Sequence, residues 1–285
     1  MEREVVFITG AGSGFGMEAV IQFALKGYDV IATVRSIERS EPLRLVIKEK
    51  QLEQRVTIKE LDVTNFNSIP QVIEEVIENS RRIDILINNA GFAMSGFCED
   101  VTIEEWKEQF ETNVFGLIAV TNAVLPYMRK QNKGKILMIG SISSSIAFPG
   151  IGPYVASKHA IKGYSESLRL ELVDEGIDVC FIEPGSYKTN IWSRGKRMAN
   201  KAKDTMSPNY NKVIALEHYM ENKVETYGDK KEVGKLLVSI ATSPHPSFRF
   251  PIGRGVKPLL FLKSVLPWKI WEWQVMKQIR KILQK

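Results

Sequence analysis

Short apolar runs alternate along this chain with longer amphipathic stretches. The runs VVFIT (5–9), DVIATV (29–34), RVTIKEL (55–61), IDILINN (83–89), KILMIG (135–140) and DVCFIEP (178–184), with a weaker FRFPI (248–252), read as strands. Residues 14–26, 41–52, 66–80, 102–129, 154–175 and 229–242 lie between or beside them and carry helical periodicity. Strand and helix in strict alternation predict a parallel sheet with helices on both faces. Right-handed crossovers then restrict the topology to a doubly wound, Rossmann-like α/β domain. Its expected strand order is 3-2-1-4-5-6-7. No repeat or linker divides the chain, so 1–285 reads as one domain. A polar insertion near 190–228, most polar over 193–212, follows the sixth strand, where a substrate lid is expected.

Composition leaves this picture intact, and charge adds to it. The net charge is +6, but residues 251–285 hold eight Lys or Arg against one Glu, so residues 1–250 sum to −1. The basic character belongs to a tail, and no nucleic-acid footprint is indicated. No 18-residue apolar run predicts a membrane span. The first strand starts at Val5, which leaves no room for a secretory signal. Two cysteines, Cys98 and Cys180, suit a reducing, cytoplasmic setting. Cys180, inside an apolar run, is expected in the core. His159, His218 and His245 lack metal-ligand spacing, and Cys98 with Glu99 and Asp100 is too sparse, so no metal is expected.

The candidate chemistry starts where the first strand ends, in Thr9-Gly10-Ala11-Gly12-Ser13-Gly14-Phe15-Gly16. Glycines there let backbone N–H groups approach a pyrophosphate at a helix N-terminus. The G-x-G-x-x-G spacing is not met, because Phe15 and Met17 stand where it would require glycine. Tyr154 and Lys158 are four residues apart and share one helix face. An ammonium near a phenol favours phenolate, so the Tyr154 pKa is expected to fall toward working pH, making it a general acid/base. Ser141, at the end of the fifth strand, is placed to hold a substrate oxygen. The second strand ends in Thr33-Val34-Arg35-Ser36, with no acid to accept from an NAD ribose. Arg35 offers a planar fork to a 2′-phosphate, which favours NADP(H) over NAD(H). Asp at Thr33 is expected to move that preference toward NADH.

These motifs together resemble the short-chain dehydrogenase/reductase family, in its single-domain branch. The matching residues are Thr9-Gly10-x-x-x-Gly14-x-Gly16, Asp62-Val63, Asn88-Asn89-Ala90-Gly91, Asn113-Val114-x-Gly116, Ser141, Tyr154-x-x-x-Lys158 and Pro184-Gly185-x-x-x-Thr189, in family order across roughly 4–252. The resemblance implies an alcohol dehydrogenase or carbonyl reductase with Asn113, Ser141, Tyr154 and Lys158 as its catalytic set. Asn113 would help hold a water that connects Lys158 to solvent. The cofactor would meet Gly10, Gly12, Ser13, Gly14, Phe15 and Gly16. Asp62 and Val63 would flank its adenine; Asn89, Ala90 and Gly91 would line the ribose side; Tyr154, Lys158, Pro184, Gly185 and Thr189 would meet the nicotinamide end. Ile182 and Pro184 also suit plain packing.

The region ending in Arg249-Phe250-Pro251-Ile252-Gly253, with the tail that follows, resembles the branch near 17β-hydroxysteroid and retinol dehydrogenases, which implies a hydrophobic, lipid-like small molecule. Phe92, Met94, Phe148, Tyr187 and Trp192 would line its pocket. Two rivals are a non-catalytic NADP(H) sensor or scaffold and an epimerase or dehydratase. The first is opposed by the presence of Ser141, Tyr154 and Lys158, the second by the lack of room for a larger substrate domain. A homo-oligomer is a further implication of the resemblance. In the tail, 253–285, Trp268, Trp271, Val275, Ile279 and Ile282 recur at helical spacing, widened by Met276 and Leu283. Lys269, Lys277, Arg280, Lys281 and Lys285 add charge. This stripe is expected to pack over the lid or on a partner subunit, with weak peripheral contact to an anionic membrane as the competing placement.

Overall fold

The computed structural model describes residues 3–192 and 195–283. Lys285 of the tail and the side chain of Trp192 lie outside the described part. Seven parallel strands form the central sheet: β1 (Val5–Ile8), β2 (Asp29–Val34), β3 (Val56–Glu60), β4 (Ile85–Asn88), β6 (Gly134–Ile139), β7 (Ile177–Pro184) and β9 (Arg249–Ile252). Their order is β3-β2-β1-β4-β6-β7-β9. This is the expected order, with numbering shifted by two short strands, β5 (Ala93–Ser95) and β8 (Lys196–Met198), which pair with each other outside the sheet. Neither was legible as a strand, because three residues carry no periodicity.

Each face of the sheet is sealed by its own apolar cluster. On one face, α1 (Gly14–Leu25) and α8 (Lys231–Thr242) pack together, and α2 (Glu41–Glu49) lies over β2 and β3. On the other, α3 (Ile69–Ser80), α5 (Gly116–Gln131) and α6 (Gly152–Glu171) cover Phe7, Leu86, Ile136 and Phe181. Cys180 is in the first cluster. The inner strands are apolar on both sides, as a parallel sheet under two helical layers demands.

Two departures from the periodicity matter for function. The single helix expected at 102–129 is α4 (Ile103–Phe110), a π-helical turn (Glu111–Phe115) and then α5. The wider turn lets Asn113 reach back to the backbone of Phe92, while Gly116 presses on Val63: a β carbon at 116 would lie 2.7 Å from the Val63 carbonyl oxygen. A uniform α-helical repeat has no slack for such a shift, and π-turns collect at functional sites. The lid between β7 and α8 is also more ordered than its polarity suggested. It holds β8 and a helix, α7 (Tyr210–Glu221). Its two ends meet at a bridge, with Lys188 N donating to Gly228 O and Gly228 N to Ser186 O, each at 3.0 Å. Beyond β9 come α9 (Val256–Val265) and α10 (Trp268–Leu283), the latter packed against α7. Among the described residues no helix is long and apolar enough to cross a membrane.

Gly16, in the first turn of α1, is the tightest point of this frame. A β carbon there would sit 2.4 Å from the Gly10 carbonyl oxygen and 2.5 Å from Asn89 Nδ2. Gly16→Ala is expected to lower stability by about 1–3 kcal/mol, the range for forced overpacking. Thermal and urea melts check this; an unchanged midpoint would contradict the close approach.

Candidate active site

The strand order reverses between β1 and β4, and the crevice at their C-terminal ends opens into a cavity of about 1500 Å³. Thr9 spans the reversal. Its N–H donates to Ile87 O, and its hydroxyl accepts from the N–H groups of Asn89 and Ala90, all at 3.0 Å. Asn89 answers with its side chain, donating to the carbonyls of Thr9 and Gly10 at 2.9 Å. The turn is thus held from below, and Gly10, Gly12, Ser13, Gly14 and Phe15 face the cavity. Gly16 does not face it; it serves the close approach of helix to turn. Thr189, from the lid's first turn, lies over Gly14, so the lid's root and the glycine turn form one rim. Pro184 and Gly185 continue that rim, whereas Ile182 is fully buried in the core.

Ser141, Tyr154 and Lys158 converge on the cavity wall and are all buried. Ser141 caps a short turn, accepting from Ser143 N at 3.1 Å, while Ser144 returns a side-chain contact to Ser141 N. The Tyr154 hydroxyl is hydrogen-bonded to the Ser141 side chain. Lys158 lies one turn further along α6, with Nζ 5.7 Å from the Tyr154 ring centre and donating to the Ile139 carbonyl at 2.9 Å. The expected fall of the Tyr154 pKa is not what this environment produces. Burial pushes the phenol up to about 12, and the Ser141 hydrogen bond offsets this only partly. Burial likewise brings Lys158 down to about 8. Spacing on a helix face revealed the pair, but not that both groups are desolvated.

Asn113 does not line the cavity. Its Oδ1 accepts from Phe92 N, and its Nδ2 donates to Phe92 O and Ser157 Oγ, all at 3.1 Å. It ties the loop after β4 to α6 and so orients Gly91 and Phe92, which do line the cavity.

At the other end, Val34, Arg35, Ser36, Asp62 and Val63 border the cavity. Arg39 joins them, a cation that sequence reasoning missed. It was hidden because the short turn 37–40, which brings it to the same cavity as Arg35, has no periodicity; Glu60 fixes that turn by accepting from Ile37 N at 3.1 Å. Thr33 is fully buried, with its hydroxyl donating to Ile8 O at 3.0 Å. Asp at Thr33 would therefore strike the core rather than a ribose, and Val34 is the position that faces the cavity. Asp62 is fixed by Thr64, whose N–H and hydroxyl donate to it at 2.9 and 2.8 Å. Ala90 and Asn89 complete this wall.

Beyond Tyr154 the cavity wall is mainly apolar, interrupted by Arg197, Glu217, Gln274 and Gln278. Phe92, Phe148 and Tyr187 line it as expected; Met94 instead sits in a side core with Val101 and Val213. The far wall comes from the lid and the tail: Leu216 and Met220 of α7, Leu259 and Leu262 of α9, and Trp271, Val275, Ile279 and Ile282 of α10. Arg197 stacks over Phe92, 4.5 Å from the ring centre, and pairs with Glu108.

The family model for short chain dehydrogenase matches residues 4–200. The chain is 44% identical over 275 residues to the uncharacterized oxidoreductase YusZ of Bacillus subtilis, covering 95% of this chain and 97% of that protein. It is 34% identical over 266 residues to a 3-ketodihydrosphingosine reductase of Bacteroides thetaiotaomicron, covering 93% of each. With human retinol dehydrogenase 8 the identity is 30% over 271 residues, covering 91% and 85%. A crystal structure of a short-chain dehydrogenase from Streptomyces avermitilis aligns over 98% of both chains, with a TM-score of 0.80 and 28% identity.

The buried Lys158 has a consequence for stability. Its folded pKa of about 8 lies below the ordinary 10.5. Between those values the unfolded chain holds the proton and the folded chain does not, so stability rises with pH across that window. Below about pH 8 both states are charged, and the folded state bears the full desolvation penalty, at most about 3 kcal/mol. Lys158→Met, which keeps the length and drops the charge, is expected to melt higher than the parent at pH 7. It should also lose the rise between about pH 8 and 10.5. Urea melts across pH check this, and identical profiles for both proteins would contradict it.

Proposed function

The chain belongs to the short-chain dehydrogenase family, and from that premise we propose that it transfers a hydride between NADP(H) and the carbonyl/alcohol carbon of a long, apolar, lipid-like molecule. The observation that carries this reading is the placement of Ser141, Tyr154 and Lys158 where a glycine-rich turn and an apolar lobe share one cavity. The residues fit a nicotinamide dinucleotide. The glycine turn leads into a helix N-terminus, and a β carbon at Gly12 or Gly14 would project toward Val34 or Thr189 at the rim. Arg35 and Arg39 border the same cavity where a 2′-phosphate would need a cationic fork. Asp62, Val63, Asn89, Ala90 and Gly91 would flank the adenosine half, and Pro184, Gly185 and Thr189 the nicotinamide.

The bound cofactor supplies or accepts the hydride. The protein's own residues manage the oxygen and its proton. Ser141 presents a hydroxyl beside Tyr154 and would hold the substrate oxygen against the phenol. The raised pKa keeps Tyr154 protonated at neutral pH, the state a carbonyl reduction requires of its acid. Lys158, cationic at neutral pH, would stabilise the phenolate left once the proton has moved. Asn113 is a positioning residue, acting through the Phe92 backbone. For the substrate, the apolar wall built by lid and tail supports a long hydrocarbon, as do relatives named for sphingoid and retinoid substrates. Two free cysteines suit a reducing, cytoplasmic setting. Exposed Phe66, Ile103 and Phe115 border a groove beside α4 and α5, the face through which a homo-oligomer would form.

Tyr154→Phe is expected to lower turnover by about a hundredfold or more while NADPH still binds. NADPH absorbance for turnover and fluorescence titration for binding separate the two. Near-normal turnover would remove Tyr154 from the acid role. Arg35→Ala is expected to weaken NADPH by about ten- to a hundredfold, the value of a hydrogen bond to a charged group, and to leave NADH unchanged. Val34→Asp should shift preference toward NADH by repelling the phosphate. Parent protein that binds NADH more tightly than NADPH would contradict the cofactor assignment.

A further inference from the structure

Helix α10 has two apolar faces, and the cavity uses only one. Trp271, Val275, Ile279 and Ile282 form the inner stripe, against α7 and the cavity. The opposite arc carries Lys269, Ile270, Trp273, Met276, Lys277 and Arg280. Ile270 is 47% exposed and Trp273 57%. Helix α9 adds Phe261 at 67% and Val265 at 54%. The two helices are joined by Lys263, whose Nζ lies 4.5 Å from the Trp268 ring and 5.2 Å from that of Trp271. Lone exposed apolar side chains are ordinary, but a run of large ones along two consecutive helices marks a contact surface.

The charge on this surface selects the occupant. Residues 251–285 carry a net +7, and Glu272 is their only acid. Lysines alternate with aromatics, and Lys277 Nζ sits 4.9 Å from the Trp273 ring. A second copy of the same face would bring like charges together in a two-fold pairing. Headgroups of anionic lipids would neutralise the lysines, while tryptophan rings suit the boundary between headgroup and acyl chain. We propose that the outer face of α9 and α10 docks on an anionic lipid bilayer, so that the helices walling the apolar cavity lie in the membrane interface. This surface is independent of hydride transfer, and its test needs no turnover.

The full chain is sedimented with phosphatidylcholine vesicles, with and without phosphatidylglycerol, at low and high salt. Binding to the anionic vesicles alone, released by salt, is the expected result. Ile270→Ser with Trp273→Ala should cut the bound fraction, and Lys269→Glu with Lys277→Glu should weaken partitioning by about fivefold or more per residue. Leu45→Ser, on the exposed side of α2, should change nothing. All four substitutions of the docking face lie at exposed positions, and unchanged melting temperatures confirm that the variants fold. The salt dependence of the parent tests the proposal without any variant. No binding, equal binding to neutral vesicles, or binding that these substitutions leave intact would overturn it. Self-association lost in the same variants, without vesicle binding, would assign the face to a second copy.

Discussion

The reversal of strand order between β1 and β4 is the constraint on which the rest depends. A parallel sheet that turns in both directions must leave a crevice there, and its backbone ends must find partners. Thr9 supplies them. One residue accepts from two backbone N–H groups across the gap and donates its own to Ile87. Asn89 closes the circuit by holding the carbonyls of Thr9 and Gly10. Only then can the glycine turn stand open at the helix N-terminus, and only with glycine at 16 can helix and turn approach as closely as they do.

The chemistry is set on this frame by burial. Tyr154 and Lys158 occupy successive turns of a helix whose inner face is fixed by Ile161, Ser165 and Leu168 beneath. Desolvation moves the two groups in opposite directions, the phenol toward keeping its proton and the ammonium toward losing one. A site poised this way is costly to the folded state and useful to a proton transfer, the usual relation between strain and function. The Asn113 clamp on Phe92 and the Thr64 clamp on Asp62 show the same economy, with polar side chains holding backbone or carboxylate still at the cavity's edge.

The sheet was legible in the sequence because its strands are apolar on both faces and separated by amphipathic helices. The glycine turn was legible from its place between a strand and a helix, and Tyr154-x-x-x-Lys158 because four residues bring two side chains onto one helix face. What escaped had no period to betray it. The π-turn at Glu111–Phe115 is one extra residue in an otherwise ordinary helix. Arg39 is brought to the cavity by a four-residue turn, and Thr33 differs from Val34 only in which face of the strand it takes. The tail's periodicity was visible, but its apolar stripe at Trp271, Val275 and Ile279 faces the cavity, while the residues left outside form a second surface that a single moment conceals.

The proposed reaction needs one cavity in which a reduced nicotinamide and a lipid-like carbonyl react directly. NADPH carrying deuterium at both C4 positions tests it when offered with a long-chain ketone and with a short-chain homologue. The expected product of the long-chain ketone is its alcohol, one mass unit heavier at the carbinol carbon, formed faster than from the short homologue. Alcohol without deuterium, or no oxidation of NADPH with either ketone while both cofactor and ketone bind, would contradict it.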